Sequence, residues 1–484
     1  YPLTRPQAWR EQRTRLRQQR YDENRLNRTE QVGGFFTAAS GGTVYTGDAF
    51  PEEYRGNVFT GDVNGNLIHR DILTPSGATF TARRAKEGVE FLASTDVWFR
   101  PCNFANAPDG NLYFTDIYRE FIETPESIPD EIKKNMDFYA GDTMGRIYRI
   151  VPLQPRTRRS PRPSPGDLVA QLASPNGWHR MTAQRLLVAS GDASVAGKLR
   201  DMAARHEVSL ARLHALWTLE GLGALQAGDV RSALADAHPG VREHALRLAE
   251  RFLPALNDAV IARASDPDPR VQFQLAFTLG EVRDARVPAL LGAIAARHGA
   301  DRWFRLAILT SVANDPLPLV TRLPHDSPVL PQLAALVGAR RQPAEITALL
   351  GRIRSNAALD GLARGLRLVG ARSLAVPESA LTPHLSHDAA WEVARHFELR
   401  GLIARAAREA ESGTPAERVR AVRALRGGSF PQAGPILRRV LASRPPPEVQ
   451  AAAIESLSAF DDSEVASILI EHWRGYSPEA RTKA

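Results

Sequence analysis

The chain of 484 residues has little cysteine and little lysine: Cys102 is its only cysteine, and five of its 62 basic residues are lysines. A single cysteine excludes intramolecular disulfides, a CxxC redox pair, thiolate zinc sites and haem attachment through CxxCH. No run of 18 apolar residues occurs, so the sequence predicts no membrane-spanning helix. Phosphate-binding loops, GxSxG, HExxH and dinucleotide fingerprints are absent too.

A net charge of +8 raises the question of nucleic-acid binding. The surplus is not concentrated in one place, since residues 1–150 carry a net charge of −2, residues 151–166 carry +4 and residues 167–484 carry +6. The arginine bias also runs along the whole chain, as a codon-composition effect would. The sequence therefore disfavours nucleic acid as the partner.

The first 150 residues predict β structure after an arginine-rich start. Residues 1–31 are polar and are interpreted as a connector, either a surface helix or a disordered arm. From residue 32 to residue 151, short β-type runs alternate with Gly, Asn and Asp turns, as in propeller blades. At 40–50 residues a blade, this segment supplies about three blades, fewer than a closed propeller needs. The strand-length runs are 35–37, 43–45, 56–60, 66–70, 90–93, 111–116 and 145–150.

The remainder predicts a linker and a helical solenoid. Residues 152–166 hold five prolines and are interpreted as a semi-extended linker. From residue 167 to residue 484 the apolar period is helical, and alanines recur at intervals of 30 to 32 residues. This spacing predicts a HEAT-type α-solenoid, in which each helical pair buries its apolar face against its neighbours. The repeating alanines are Ala183, Ala215, Ala245, Ala276 and Ala307, with Ala421 and Ala451 further along.

Three stretches of the sequence are characteristic: Gly-Asn-Val-Phe at 56–59, Pro-Asp-Gly-Asn-Leu-Tyr-Phe at 108–114 and Gly-Trp-His-Arg at 177–180. In these and other stretches the chain resembles the C-terminal part of bacterial "membrane-bound dehydrogenase domain" propellers. Those proteins are relatives of glucose/sorbosone dehydrogenases and are often joined to HEAT repeats and a c-type cytochrome domain. The resemblance implies a periplasmic or exported protein with a sugar or polyol substrate. It also implies a PQQ-like quinone and a c-type haem in the complete protein. This sequence lacks a haem motif, and it lacks the upstream blades that carry the catalytic base in such proteins. We therefore expect no cofactor in this chain, and we expect the natural protein to extend further.

Candidate ligand-binding residues lie at the ends of predicted strands, in the short motifs Arg-Pro, Pro-Asp-Gly and Asp-x-Tyr-Arg. Residues so placed line the central channel of the related propellers, where arginine grips anionic oxygens bidentately. An Arg–Asp ion pair that locks neighbouring blades is the structural alternative. The candidates are Arg100, Asp116, Tyr118 and Arg119, together with Arg70.

His69 is the candidate general base, because imidazole titrates near neutral pH. A hydrogen-bonded structural histidine at a strand end is the alternative. The sequence Asp62-Val-Asn-Gly-Asn66 has alternating oxygen ligands, but Leu73 stands where a calcium loop needs glutamate, so a hairpin turn is favoured and no metal site is predicted.

Three functions are compatible with these patterns. The first is the C-terminal part of an exported dehydrogenase-like propeller protein, with the solenoid docking a protein on its concave face. The second is a non-catalytic protein-binding scaffold, and the third is a basic HEAT protein that binds nucleic acid.

Overall fold

The structure, a computed structural model, divides into two compact units, Tyr1–Ala249 and Glu250–Ala484. The first contains antiparallel sheets followed by helices, and the second is helical. Most of the predicted linker, residues 154–166, lies outside the described residues, as do Phe35 and Thr37 of the first predicted strand. The described residues are 8–29, 36, 38–134, 136–153, 167–385, 387–397 and 400–484.

Two antiparallel sheets form the β part of the first unit. In the first sheet the strands are ordered β1-β2-β3-β4, with β5 also paired to β3, and in the second the order is β6-β7-β8. The described residues thus form two blade-like meanders, and a third predicted blade is not confirmed. The strands are β1 (Ala39–Val44), β2 (Val58–Asp62), β3 (Leu67–Ser76), β4 (Thr79–Arg84), β5 (Leu92–Ala93), β6 (Pro101–Asn106), β7 (Leu112–Asp116) and β8 (Arg146–Ile150).

The hairpin between β2 and β3 is closed by an aspartate side chain. Asp62 Oδ1 accepts hydrogen bonds from the backbone N–H groups of Asn64 at 2.9 Å and Gly65 at 3.0 Å. Asn66 then takes a left-handed conformation, with φ of 55°, which asparagine tolerates better than most residues. The favoured interpretation of this sequence as an Asx-rich hairpin turn is therefore confirmed.

The two sheets share one aromatic core. Tyr45, Phe59 and Ile68 from the first sheet pack in a cluster with Leu112 and Phe114 of the second. The backbones approach closely beside this core: Ser40 Oγ donates to the Pro101 carbonyl at 3.0 Å, and a Cβ at Gly61 would lie 2.5 Å from that oxygen. Only glycine fits at this position without displacing β6.

A helix covers most of the arginine-rich start. Helix α1 (Ala8–Glu23) packs through Trp9, whose ring meets Phe121 edge-on at 5.7 Å. Arg10 is 5% exposed and forms an ion pair with Glu123. Of the two interpretations of this segment, the surface helix describes it. Trp9 and the buried Arg10 attach the helix to the segment that contains Phe121 and Glu123. A one-turn helix, α2 (Asp130–Lys133), follows later in the same loop region.

Helices complete the first unit, and their small residues face one another as predicted. Helices α4, α6 and α8 pack in series, with α5 and α7 packed together beside them. Ala183, Ala215 and Ala245 lie on the serial helices and are all fully buried. The alanine spacing therefore identified the packed face. These helices are α3 (Leu168–Gln171), α4 (Gly177–Ser190), α5 (Ala196–Arg205), α6 (Ser209–Gly221), α7 (Ala227–Leu234) and α8 (Pro239–Ala249).

The second unit continues the same two-layer arrangement. Its even-numbered helices from α10 to α24 stack in one layer, and its odd-numbered helices pack outside them. The helices are α9 (Asn257–Ile261), α10 (Pro269–Thr278), α11 (Val287–His298), α12 (Arg302–Ser311), α13 (Leu317–Val320), α14 (Leu330–Arg340), α15 (Pro343–Arg352), α16 (Asn356–Leu368), α17 (Glu378–Leu381), α18 (Asp388–Ala394), α19 (Arg400–Ser412), α20 (Pro415–Ala424), α21 (Phe430–Ala442), α22 (Pro447–Leu457), α23 (Glu464–Glu471) and α24 (Pro478–Lys483).

The alanine ladder extends further than the sequence pattern indicated. Buried alanines occur on every stacked helix of the second unit. On α22, however, the predicted Ala451 is only half-buried and its neighbour Ala452 takes the buried place. One buried alanine from each of these helices, in chain order, is Ala276, Ala307, Ala334, Ala363, Ala390, Ala421, Ala452 and Ala480.

A side-chain hydrogen bond recurs at the turns between helical pairs. Arg242 Nη1 donates to the carbonyl oxygens of Asp236 at 2.9 Å and Ala237 at 3.1 Å, which lie in the turn before its helix. Equivalent bonds occur in five consecutive repeats, at α4, α6, α8, α10 and α12, and again at α22, and they satisfy carbonyl groups of the turn. The donors are Arg180, Arg212 and Arg242 in the first unit, and Gln272, Arg305 and Gln450 in the second.

The first helical pair is joined directly to the second sheet. Asn176 is fully buried and its Nδ2 donates to the carbonyl oxygens of Ala107 at 3.2 Å and Pro108 at 3.3 Å. His179 Nε2 lies 2.9 Å from the same Pro108 oxygen, and the Gly177 N–H donates to Thr46 at 2.8 Å. These hydrogen bonds fix the position of the first helices against the sheets of the first unit.

Candidate functional site

Arg100 is almost completely buried, at 1% exposed. Its guanidinium donates through Nε to the Arg119 carbonyl at 3.0 Å, through Nη1 to Val63 at 2.8 Å and through Nη2 to Glu120 at 2.7 Å. Burial, together with the nearby Arg10, lowers the pKa of Arg100 to about 10. The side chain is thus occupied by backbone oxygens and holds three loop segments together.

Asp116 lies at the end of β7 and is equally buried, at 1% exposed. Its Oδ1 accepts from the backbone N–H groups of Arg100 at 2.7 Å and Tyr118 at 2.8 Å. Its Oδ2 has no hydrogen-bond partner among the described residues. The carboxylate therefore orders the turn at the strand end, and the predicted Arg–Asp contact runs through the arginine backbone.

Tyr118 and Arg119 complete this cluster of strand-end residues. Tyr118 has a φ of +49°, its hydroxyl donates to Asp96 at 2.9 Å, and Arg146 stacks 3.5 Å from its ring centroid. Arg119 Nη2 donates to the Phe138 carbonyl at 2.6 Å. The structure brings together four of the six predicted residues, Arg100, Asp116, Tyr118 and Arg119.

His69 lies on β3, in the first sheet, between two carboxylates. Its Nδ1 is 2.5 Å from Glu90 Oε2, and its Nε2 is 3.0 Å from Asp71 Oδ1. Glu90 is 7% exposed and also receives Arg84 Nη1 at 2.6 Å. Both ring nitrogens therefore lie within hydrogen-bond distance of a carboxylate oxygen, so the imidazole is held between Glu90 and Asp71.

Arg70 points away from His69. Successive residues of a strand face opposite sides of the sheet, and Arg70 stacks over the Tyr54 ring with its Cζ 4.0 Å from the centroid. No hydrogen bond of the described residues joins the His69 cluster to the Arg100 cluster. The six predicted residues therefore form two separate groups, with Arg70 on the far face of one of them.

Metal binding finds no support in this part of the chain. Among the described residues, no group of three or more His, Cys, Asp or Glu side chains is arranged to hold a metal ion. Nor does any helix in the described ranges combine the length and the apolar character that a bilayer crossing requires.

Polar side chains inside the helical layer of the first unit were missed by the sequence reasoning. His214 Nδ1 lies 2.6 Å from Gln184 Oε1, and the Trp217 indole donates to His244 Nδ1 at 3.1 Å. Burial lowers the pKa of His214 to about 4, with Arg180 and His244 adding to the effect. Burial also lowers the pKa of His244. The spacing of 30 residues from Gln184 to His214 to His244 was a visible signal.

Comparison with known families covers both ends of the chain. Residues 4–154 match a domain of unknown function (DUF7133), and residues 399–484 match HEAT repeats. No curated protein matches the chain. The HEAT match confirms the predicted fusion of a β segment to a HEAT solenoid, which is a type of structure that suggests protein partners. The dehydrogenase resemblance remains a prediction, because the family that the β segment matches is one of unknown function.

Proposed function

We propose that this chain acts as a protein-binding scaffold without catalytic activity of its own. The observation that carries the proposal is the two-layer stack of helices in the second unit, which ends in the HEAT match at 399–484. Such stacks expose one long layer of helices to a partner, while the other layer supports it.

The Arg100 cluster supports the same function indirectly. Arg100 is 1% exposed, and three of its five guanidinium N–H groups donate to backbone carbonyls, so little of the side chain is open to a ligand. Residues that the resemblance assigns to substrate or quinone binding are thereby used to stabilise loops. The sheets then form a rigid base for the first helical pair.

Site-specific photo-crosslinking tests the scaffold proposal. A benzophenone amino acid replaces Trp303 or Leu306, which are 42% and 47% exposed on α12, and Tyr139, 76% exposed in the β part, serves as the control. We expect the α12 positions to yield one defined protein adduct, whose purified partner then binds the full chain in solution. Adducts of equal yield at Tyr139, or a partner whose affinity is unchanged by charge reversals on the helices, would contradict the proposal.

A second candidate is supported by the His69 cluster. A buried imidazole flanked by Glu90 and Asp71 has the composition of a general base with an orienting carboxylate. On this proposal the chain is the C-terminal part of an exported sugar or polyol dehydrogenase, with quinone and haem in the complete protein. The test is turnover of a sugar panel with PQQ and an artificial electron acceptor, by the full chain and by H69Q. Turnover abolished by H69Q would favour the enzyme over the scaffold.

A further inference from the structure

A cavity of about 750 Å³ lies within the second unit. Its walls come from the C-terminal turn of α16, the loop after α16, the end of α18 and the turn that leads into α21. The cavity thus lies where the ends of several helices and the turns between them converge. None of the residues selected from the sequence contributes to it.

Its lining is rich in arginine. Arg367, Arg372, Arg395 and Arg426 all line the cavity, and Glu392 is the one acidic side chain among the described lining residues. Four guanidinium groups against one carboxylate give the lining a net positive charge. A cavity of this kind favours an anionic occupant.

Two of these arginines have no partner in the described parts of the chain. Arg367 and Arg372 are exposed, and no hydrogen bond or ion pair of the described residues involves their guanidinium groups. Arg395 makes only a long contact of 3.4 Å with Glu392, while Arg426 Nε donates to Ser456 at 3.2 Å. The unused donors therefore belong to Arg367 and Arg372.

Helix electrostatics explain only part of this arrangement. Cations are favoured near helix C-termini, and Arg367 lies in the last turn of α16. Arg372 lies outside any helix, so the dipole of α16 gives no reason for its position. The start of α21 is already satisfied by its own capping box, in which Ser429 and Gln432 bond each other's backbone N–H groups. The dipole of α16 therefore accounts for Arg367 and not for Arg372.

We propose that this cavity binds an acidic peptide segment of a protein partner. The proposal rests on the scaffold function above and names the chemistry of the partner. Arginine pairs with carboxylates through two parallel hydrogen bonds, and the volume of about 750 Å³ accommodates several side chains, more than one small anion needs. Phe397 and Phe460 add apolar surface to the wall, which suits the stems of glutamate side chains.

The experiment measures binding of a fluorescein-labelled, glutamate-rich peptide to the full chain by fluorescence anisotropy. The double variant R367E/R372E reverses the two unpartnered charges. The control R364E/R408E makes the same change in net charge at two exposed arginines that do not line the cavity. We expect the cavity variant to weaken binding on the order of tenfold, the control to change it by less than about twofold, and added salt to weaken the wild-type complex.

Several outcomes would overturn the proposal. They are absence of peptide binding by the wild type, equal weakening by both double variants, and tighter binding of a single-stranded RNA of similar length that depends on the same two arginines. Full competition by inorganic phosphate at equal concentration would likewise point to a small-anion site. The crosslinking positions on α12 lie outside the cavity lining, so the scaffold function can hold when this proposal fails.

Discussion

Arginine supplies nearly all the positive charge of this chain, and individual arginines serve two distinct purposes. Arg100 and Arg180 are almost fully buried and donate to backbone carbonyls, so they act as structural crosslinks. Arg367 and Arg372 are exposed beside a cavity. Lysine would serve poorly in the first role, because its ammonium group lacks the planar fork that reaches several carbonyls at once.

Replacing Arg100 with methionine should destabilise the second sheet. The carbonyl oxygens of Val63, Arg119 and Glu120 would lose their donor in a buried setting, at a cost of about 3 kcal/mol or more. Hydrogen exchange of amides in β6 and β7 measures the change. The control R83M alters an exposed arginine on β4 and should change the same amides by less than about 0.5 kcal/mol. Similar effects of both variants would show that Arg100 is not a crosslink.

His214 should make the stability of the chain depend on pH. Burial lowers its pKa to about 4 in the folded state, below the ordinary value of 6.5, so the unfolded chain takes up a proton first as the pH falls. Stability is therefore lost as the pH falls from about 6.5 towards 4, with a slope of at most about 1.4 kcal/mol per pH unit.

Urea unfolding at pH 7 and pH 5 checks this expectation. The variant H214Q keeps a polar side chain beside Gln184 and should lose less stability on acidification, by on the order of 1 kcal/mol. The exposed His325 offers the control H325Q, which should keep the pH dependence of the wild type. An unchanged pH dependence in H214Q would contradict the assignment.

At the scale of elements, helix approach is set by small residues. Helices α14 and α16 cross so closely that a Cβ at Gly361 would lie 1.9 Å from the Pro331 carbonyl oxygen, and one at Gly365 would lie 2.0 Å from that of Ala335. No rotamer relieves a contact with backbone, so the helices would have to separate. The glycines thus set the spacing that alanine sets elsewhere in the stack.

The variant G361A should destabilise α14 and α16 by about 1–3 kcal/mol, the usual cost of overpacking. Gly351 on α15 provides the matched control, since nothing lies within 4 Å of its Cβ position. There G351A should stabilise the helix by up to about 1 kcal/mol, because alanine is the better helix former. Hydrogen exchange of the helix amides measures the change in local stability for each variant. The prediction requires a loss of stability in G361A and a gain in G351A.

At the scale of the first unit, the buried contacts of Asn176 and His179 should hold the sheets and helices together without the intervening segment. We expect a chain cleaved at an engineered protease site between residues 154 and 166 to elute as one species in size-exclusion chromatography. The variant N176A removes the Nδ2 amide that donates to Ala107 and Pro108, leaves only the His179 contact at Pro108, and should promote separation of the pieces. M181A, at a side chain 63% exposed on the same helix, should not.

Much of the fold could be predicted from local signals. The alanine spacing identified the buried face of α4, α6, α8, α10 and α12, because a solenoid repeats its contacts with its sequence. Most strands were found from their turns. Strand β4 was missed because most of its residues are exposed, which leaves no apolar alternation to detect. Strand β6 has no counterpart among the predicted strand-length runs.

Four of the six predicted site residues lie together in the structure, but their contacts were not predicted. Arg100, Asp116, Tyr118 and Arg119 do gather at strand ends, yet the sequence does not tell that the Arg100 donors end on backbone oxygens. The partners of His69 were also hidden, since Glu90 lies 21 residues away and arrives beside it only through tertiary packing.

By itself, the sequence determined the architecture of this protein: antiparallel strands, then a HEAT-type stack. Both follow from regular spacings in the sequence, of two residues in strands and about 31 residues in the repeats. Each spacing brings apolar residues against the adjacent strand or the adjacent repeat. Only the tertiary structure decided which polar groups are occupied and which are free. Hydrogen-bond partners such as Val63 and Arg100, or the loops that surround Arg367 and Arg372, meet through contacts distant in the chain, for which no local period exists.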